Sequence, residues 1–585
     1  MPSEPKAEAR AARERLADPE LAPISVGDIG AIIKAGVRDF LAAPLVSVAI
    51  ALVYTCGGWL LAALLWLFNM PFLVYPLANG LLLAFLPNGA DMAWGNLTLA
   101  NFGRFFTAGS YKRALYNSIL TSGGATLLAA ALGVPMAFAV ARVNIACRSL
   151  VLALSVIPLI APPFIGAYAW VMILGNNGIV TQLMVEYLGV RPPPIYGPWG
   201  VTIALALSYL PYLFLMVQGT LAAGDPAIEE AARMTGASAW RIVRTITLPL
   251  AMPAIAAGML VVFIKSLGDF GVPSILGGEM QVLPTLIYYQ INGFFNLNAG
   301  AAIAIVNVML TVAGLGLLAL VNRRGVSTLT GSSRGTARSS GRGARLAANA
   351  LVWVVLVLAL LPQLLVALYS FSLRWGDTLL PSSYGLDNYR DVWAEAFQTM
   401  GNSVVLSGLA TIACVLFGAI TAYATVRGRA VSKWAIDLTI MLPFVLPGLV
   451  VGVAYLGAFN SRPLLLTGTA AILVLAYFTR RVAFVFRSAT TAIGQIDPKI
   501  EEASTICGAS WGVTMRRIMV PLLAPGLLAA AILVFATLIG EISATVLLYS
   551  ASWKPISIAI YERVLGNELR GRARSAPSAT SPRCS

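Results

Sequence analysis

Long apolar runs, separated by short polar loops that carry arginine, fill most of the chain. A helix rises 1.5 Å per residue, so about 20 apolar residues cross the hydrocarbon core of a bilayer. On that scale the first half predicts spans near residues 62–86, 115–141, 149–174, 198–220, 249–270 and 299–321. The second half predicts spans near 348–372, 402–426, 434–459, 465–486 and 520–546. Arg142, Arg148, Arg427, Arg429 and Lys433 follow the second span of each half, and Arg233, Arg241, Arg244, Arg516 and Arg517 follow the fourth. Lys and Arg accumulate in cytoplasmic loops, which places both sets on the cytoplasmic side. The fold class expected is an all-α polytopic membrane protein.

The pattern occurs twice. Asn117-Ser118 answers Asn402-Ser403, and Pro158 and Pro162 answer Pro443 and Pro447, at an offset of 285 residues. Beyond the next loop the offset falls to 272, because the first half holds 13 extra residues between its third and fourth spans. The matching arginine loops share one side, so the two repeats run parallel. The organisation expected is a polar N-terminus with an extra hydrophobic segment (1–60), a first repeat (61–322), a cytoplasmic linker rich in Ser, Gly and Arg (323–346) and a second repeat (347–585). Residues 40–87 carry no charge. Within them 40–59 has no counterpart in the other half and reads as an added span or an interfacial helix. The second repeat tracks the first to about Glu562 and then turns to Arg, Ser, Ala and Pro. It therefore reads as lacking its last span, with the C-terminus on the outer side.

Composition narrows the chemistry. Hydrophobic residues make up 58% of 585 and charged residues 11%, against about half and a quarter in a soluble protein. The net charge of +15 fits the cytoplasmic-loop excess, and no basic run is interleaved with aromatics as a nucleic-acid surface would require. The chain has no histidine, its five cysteines form no CxxC pair, and it has no GxxxxGK[ST] phosphate loop. General-base, zinc-cluster and phosphate-loop ATP chemistry thus lack their usual residues. A membrane protein without an enzyme, cofactor or metal site is therefore expected.

The charged cassette is the most specific signal. "DPAIEEAARMTGASAWRIVRTITLPL" (Asp225–Leu250) recurs as "DPKIEEASTICGASWGVTMRRIMVPL" (Asp497–Leu522), 272 residues on. Asp225 is suited to cap a helix that Pro226 begins, and Glu229 and Glu230 suit its positive end. Gly236 can stop that helix in the left-handed conformation, and Pro249 opens the next span. Asp497, Pro498, Glu501, Glu502, Gly508 and Pro521 repeat the design. Two copies of this cassette, with the same spacing at the same place in each repeat, suit a two-fold symmetric partner.

The cassette resembles the signature loop of binding-protein-dependent ABC transporter permeases: Glu230-Ala231-Ala232, Gly236, Ile246 and Leu248-Pro249, then Glu502-Ala503-Ser504, Gly508, Ile518 and Val520-Pro521. Ser504 and Val520 are mild departures. The resemblance covers both halves, apart from residues 1–60 and the tail after about 565. It implies the type I importer fold in a bacterial inner membrane. It also implies a dimeric ATPase subunit docked on the two loops from the cytoplasm, and a periplasmic or extracellular substrate-binding protein. Glu230 and Glu502, each in a capped first turn beside that ATPase, are expected to fix the docking helices. "SLGDFGVPSILGG" (Ser266–Gly278) and "IGEISATVLLYS" (Ile539–Ser550) look like ferric-iron-type permeases. Related members move thiamine, phosphonates or polyamines.

Asp269 and Glu541 occupy one repeat position, each after a glycine, near the outer ends of the fifth spans. Intramembrane acids usually face a cavity, which makes them candidate pathway residues; hydrogen-bonded helix ends are the alternative. Lys265, one turn before Asp269, reads as its ion-pair partner. A secondary transporter is the rival class. It would be favoured by inverted repeats and many buried charges, whereas here the repeats read as parallel and charges within spans as few.

Overall fold

The computed structural model describes residues 72, 74–89, 94–224, 226–322, 341–374, 381, 383–428, 433–461 and 464–575. The N-terminal segment with its apolar stretch 40–59, most of the linker (323–340), Asp225, Arg429 and the tail from 576 lie outside them. The long helices of the first half are α1 (Gly109–Arg142), α2 (Pro198–Ala223), α3 (Leu248–Leu267) and α4 (Leu297–Asn322). Those of the second half are α5 (Arg342–Ser370), α6 (Asp387–Val426), α7 (Ala470–Gln495) and α8 (Val520–Ile539). Helix α5 starts inside the predicted linker. A two-stranded antiparallel ribbon, Ser372–Arg374 with Ser383–Tyr384, joins α5 to α6.

Among the described residues eight helices are long and apolar enough to cross a membrane, or nine with one bent pair. The 26-residue α7 is not among them, because Arg480, Arg481 and Arg487 interrupt its apolar run.

Helix α1 packs on α2 and α3, and α6 packs on α7 and α8 in the same way. Between lipid-embedded helices there is little hydrophobic drive, so small residues that let backbones approach decide the packing. Gly133 of α1 and Gly418 of α6 hold one repeat position. A Cβ on Gly133 would lie 3.0 Å from Leu213, and one on Gly418 would lie 3.1 Å from Val485 at the matching position of α7. Hydroxyls in these helices satisfy themselves on the preceding turn. Thr121, Thr126, Thr421 and Thr425 each donate to the carbonyl four residues back at 2.7 Å.

Both third spans, predicted as single helices (149–174 and 434–459), are broken. The first is split into Arg148–Leu154, Ile157–Ile160 and Pro163–Leu174, and the second into Lys433–Val445 and Gly448–Phe459, bent by 109°. The breaks before Pro163–Leu174 and before Gly448–Phe459 fall at the paired prolines Pro162 and Pro447, whose ψ angles of 128° and 145° leave the helical region. Proline has no N–H for the helix ladder and pushes the residue before it out of α geometry. The fragments after the breaks bind the halves together. Pro163–Leu174 packs on α5 of the second half, and Gly448–Phe459 packs on α4 and on Tyr75–Leu83 of the first.

The repeated Asn-Ser pair does the same work twice. Asn117 donates to the Gln281 carbonyl at 3.0 Å, and Ser118 accepts from the N–H of Leu283 at 2.7 Å. Asn402 donates to Ser552 and Lys554, and Ser403 accepts from Ile556 at 2.7 Å. Each pair fixes the loop that follows the acid of its half.

Candidate functional site

A cavity of about 280 Å³ is lined by Pro162, Tyr209, Lys265 and Asp269 from the first repeat and Pro447, Arg480, Arg481 and Glu541 from the second. Asp269, just past α3, accepts from the Tyr209 hydroxyl at 2.5 Å and from the Val272 N–H at 2.8 Å. Glu541, just past α8, accepts from the Ala544 N–H at 3.3 Å and pairs with Arg480 and, at 3.3 Å, with Arg481. Both acids are buried. Each lines the cavity, and each accepts a backbone N–H at the start of the short helix that follows it, Gly271–Leu276 or Thr545–Leu548.

The partners are matched by position and differ in chemistry. Tyr209 and Arg481 stand 272 residues apart, as do Ser208 and Arg480. The first repeat holds its acid with a neutral hydroxyl, and the second holds its own with two guanidinium groups. Lys265 does not pair with Asp269, the reading its spacing suggested; the Asp269 carboxylate accepts from Tyr209 and Val272 instead. The Lys265 ammonium lies 6.0 Å from the ring centre of Tyr212 and 5.5 Å from that of Phe444. Among the described residues no carboxylate is within ion-pair distance of it.

The glycine before each acid meets the broken span of the opposite half. A Cβ on Gly268 would lie 3.1 Å from Pro447, and one on Gly540 would collide with Pro162. The two contacts cross between the repeats.

The cassettes form the second part of the site. In each, a helix (Pro226–Met234 or Pro498–Ile506) stops at a glycine with φ of 81°. The stop is a Schellman motif in both copies: Gly236 donates to Arg233 and Ala237 to Ala232, and Gly508 donates to Thr505 and Ala509 to Ser504. A π-helical turn, Val243–Thr247 or Met515–Met519, then leads into α3 or α8, which Pro249 and Pro521 open at their second residues. Asp497 caps its helix by accepting from the Lys499 N–H at 3.0 Å.

The glutamates divide the work differently from the expectation. Glu229, not Glu230, fixes the first cassette helix. It is buried and pairs with Arg142 at the end of α1 at 3.0 Å, while Thr247 donates to it at 3.0 Å. Glu501 does the same in the second, with Arg427 at the end of α6 at 2.8 Å and the Tyr423 hydroxyl at 2.8 Å. Glu230 and Glu502 are exposed and free to meet a partner. Beside them Met234 and Ile506, at one repeat position, are 90% and 86% exposed.

The family model for binding-protein-dependent transport system inner membrane components matches residues 129–325 and again 414–569. The chain belongs to that family. The permease is 31% identical to the ferric transport system permease protein FbpB of Actinobacillus pleuropneumoniae over 476 residues, 80% of this chain and 69% of that one. It is 25% identical to the Fe(3+)-transport system permease protein FbpB 2 of Haemophilus influenzae over 455 residues, 77% of this chain and 83% of that one. It is 32% identical to the molybdenum transport system permease protein ModB of the same organism over 163 residues, 27% of this chain and 69% of that one. The permease is thus a multi-pass protein of the bacterial inner membrane, built of two parallel homologous repeats, and its class is that of ABC importer permeases rather than secondary transporters.

Sequence reasoning located both acids and both cassettes. It passed over Arg480 and Arg481, although an Arg-Arg pair inside "LVLAYFTRRVAFVF" (473–486) is the kind of costly intramembrane charge that marks a pathway. It also passed over Tyr209, which on its own looks like any aromatic of an apolar helix.

Proposed function

We propose that the permease imports ferric iron, delivered by a substrate-binding protein on the outer side and driven by an ATPase dimer docked on the two cassettes. The observation that carries the iron reading is the likeness to ferric transport permeases over about four-fifths of the chain. The cavity agrees in scale: about 280 Å³ is below the roughly 300–1,000 Å³ of pockets for drug-sized ligands.

In this reading the cassette helices carry the motion of the ATPase into the membrane. Each is rigidly tied to its own repeat, by Arg142–Glu229 in the first and Arg427–Glu501 in the second. Through the π-turns each continues into the helix that ends at Gly268-Asp269 or Gly540-Glu541. Closing the ATPase brings the cassettes together and rotates the two fifth spans against each other. The contacts Gly268–Pro447 and Gly540–Pro162 then form the moving seam of the cavity. Asp269 and Glu541 serve as pathway residues there, held in place by their neighbours so that they offer no deep well for a metal.

Uptake of radioiron by cells whose other iron systems are deleted tests the reading. Iron accumulation that depends on the permease gene supports it. Absence of iron uptake, with a phosphonate or thiamine accumulated instead, refutes the substrate and leaves the class intact.

A further inference from the structure

The charges around the cavity do not balance. Lys265, Arg480 and Arg481 bring three cations, and Asp269 and Glu541 bring two carboxylates. Glu541 pairs with both guanidinium groups, and Asp269 accepts from the neutral donors Tyr209 and Val272. The count leaves one positive charge in excess, and Lys265 is the cation that lacks an ion-pair partner among the described residues; it lines the cavity with aromatic faces beside it. The Nε of Arg481 is likewise buried without a hydrogen-bond partner there. The repeat explains why: the position of Lys265 holds Thr537 in the second half, and Tyr209 answers Arg481. Two copies of the first half's set would balance, while two copies of the second half's would carry a larger excess.

A low-dielectric cavity magnifies a surplus charge. A bare trivalent cation would meet Lys265 and two arginines with only two carboxylates, both already engaged. An anion would meet an unpaired ammonium with guanidinium groups beside it, cations that form charge-assisted hydrogen bonds.

We propose that this cavity is an anion-binding site, in which Lys265 and Arg481 hold the oxygen atoms of a carboxylate or phosphate group. The cargo then crosses as a negatively charged oxygen-donor complex, its metal masked by its ligands. That the complex holds a metal, and which metal, rests on the ferric reading above; the anion site stands on the charge arrangement.

The test uses the permease purified with its ATPase in lipid nanodiscs, probed separately with radiolabelled citrate and radiolabelled phosphate. The wild type should bind one of the two saturably, citrate binding assigning a carboxylate and phosphate binding a phosphate. Lys265→Gln should weaken that binding by about tenfold or more, and Lys265→Arg should keep it within about threefold, as the loss or retention of one charge-assisted contact requires. Co-purification of the ATPase with each variant shows that the fold survives. Binding of neither anion by the wild type, or equal binding by Lys265→Gln, overturns the proposal. Radioiron uptake measured in parallel separates the two readings. Iron uptake without anion binding overturns the anion site and leaves the ferric assignment. Anion binding that Lys265→Gln abolishes, without iron uptake, sustains the site and refutes the ferric assignment.

Discussion

Pro162 of the first repeat lies against Gly540 of the second so closely that no Cβ fits between them. The proline breaks its own span, and the glycine precedes the acid that caps the next short helix of the opposite half. The reciprocal contact, Pro447 with Gly268, leaves a little more room, with a Cβ placed 3.1 Å away. The seam of the cavity is thus made of a ring that cannot bend and a residue that cannot grow.

Gly540→Ala is therefore expected to lower transport at least about tenfold, because overpacking against a rigid neighbour costs about 1–3 kcal/mol and forces the seam apart. Gly268→Ala should do less. Uptake in proteoliposomes, with the melting temperature of each variant, separates a blocked seam from an unfolded protein. Equal uptake by Gly540→Ala and wild type would show that the contact plays no part in transport.

Arg142–Glu229 and Arg427–Glu501 tie the cassettes to α1 and α6. Removing one partner of a buried pair leaves the other uncompensated, at a cost of up to about 3–5 kcal/mol when burial is complete. These side chains are 4–18% exposed, so a smaller loss is expected. Glu229→Gln and Glu501→Gln should uncouple ATP hydrolysis from uptake, while Glu230→Gln and Glu502→Gln should mainly weaken association with the ATPase. In Glu229→Gln/Arg142→Gln the two losses should fall short of their sum, as expected for direct partners. Additive effects would remove the pair from the coupling path.

Met234 and Ile506 stand out from the two cassettes at one repeat position, on the surface proposed to meet the ATPase. Replacing either with Asp should leave the fold unchanged, since both are almost fully exposed, and should cut co-purification of the ATPase several-fold, because a charge is disfavoured in the core of an interface. Undiminished co-purification would move the docking surface elsewhere. Gly236→Trp and Gly508→Trp should uncouple transport more than they destabilise, since at φ of 81° a side chain strains the Schellman stop.

Tyr209 donates to Asp269 inside the membrane region. Tyr209→Phe leaves one buried oxygen short of a donor, a loss of about 1–3 kcal/mol. Arg481→Gln removes a charge opposite Glu541. The first should lower thermal stability with a smaller effect on uptake, and the second should change uptake more than stability. The reverse order, measured by melting and by uptake, would exchange their roles.

Much of this architecture was legible in the sequence, because it is written twice. The offset of 285 aligned Pro162 with Pro447 and Asn117 with Asn402, and the offset of 272 aligned the cassettes and the two acids. What the repeat could not reveal is where its copies differ. Tyr209 against Arg481 and Lys265 against Thr537 are invisible to a search for sameness, yet they set the charge of the cavity. The breaks at Pro162 and Pro447 were hidden for another reason. Apolar length alone predicts a span, and a proline inside a membrane helix is often tolerated as a kink; only the packing of each fragment on the opposite repeat turns the kink into a break. The exchange of roles between Glu229 and Glu230 follows from helix rotation, which two adjacent glutamates do not specify.

The most direct test is ATP-driven uptake of radioiron into proteoliposomes holding the permease, its ATPase and its loaded binding protein, with the wild type beside Asp269→Asn/Glu541→Gln. Iron accumulation by the wild type, lost in the double variant while the variant still assembles with the ATPase, is the expected result. Equal accumulation by both would contradict the role given to the two acids, and no accumulation by the wild type would contradict the ferric assignment itself.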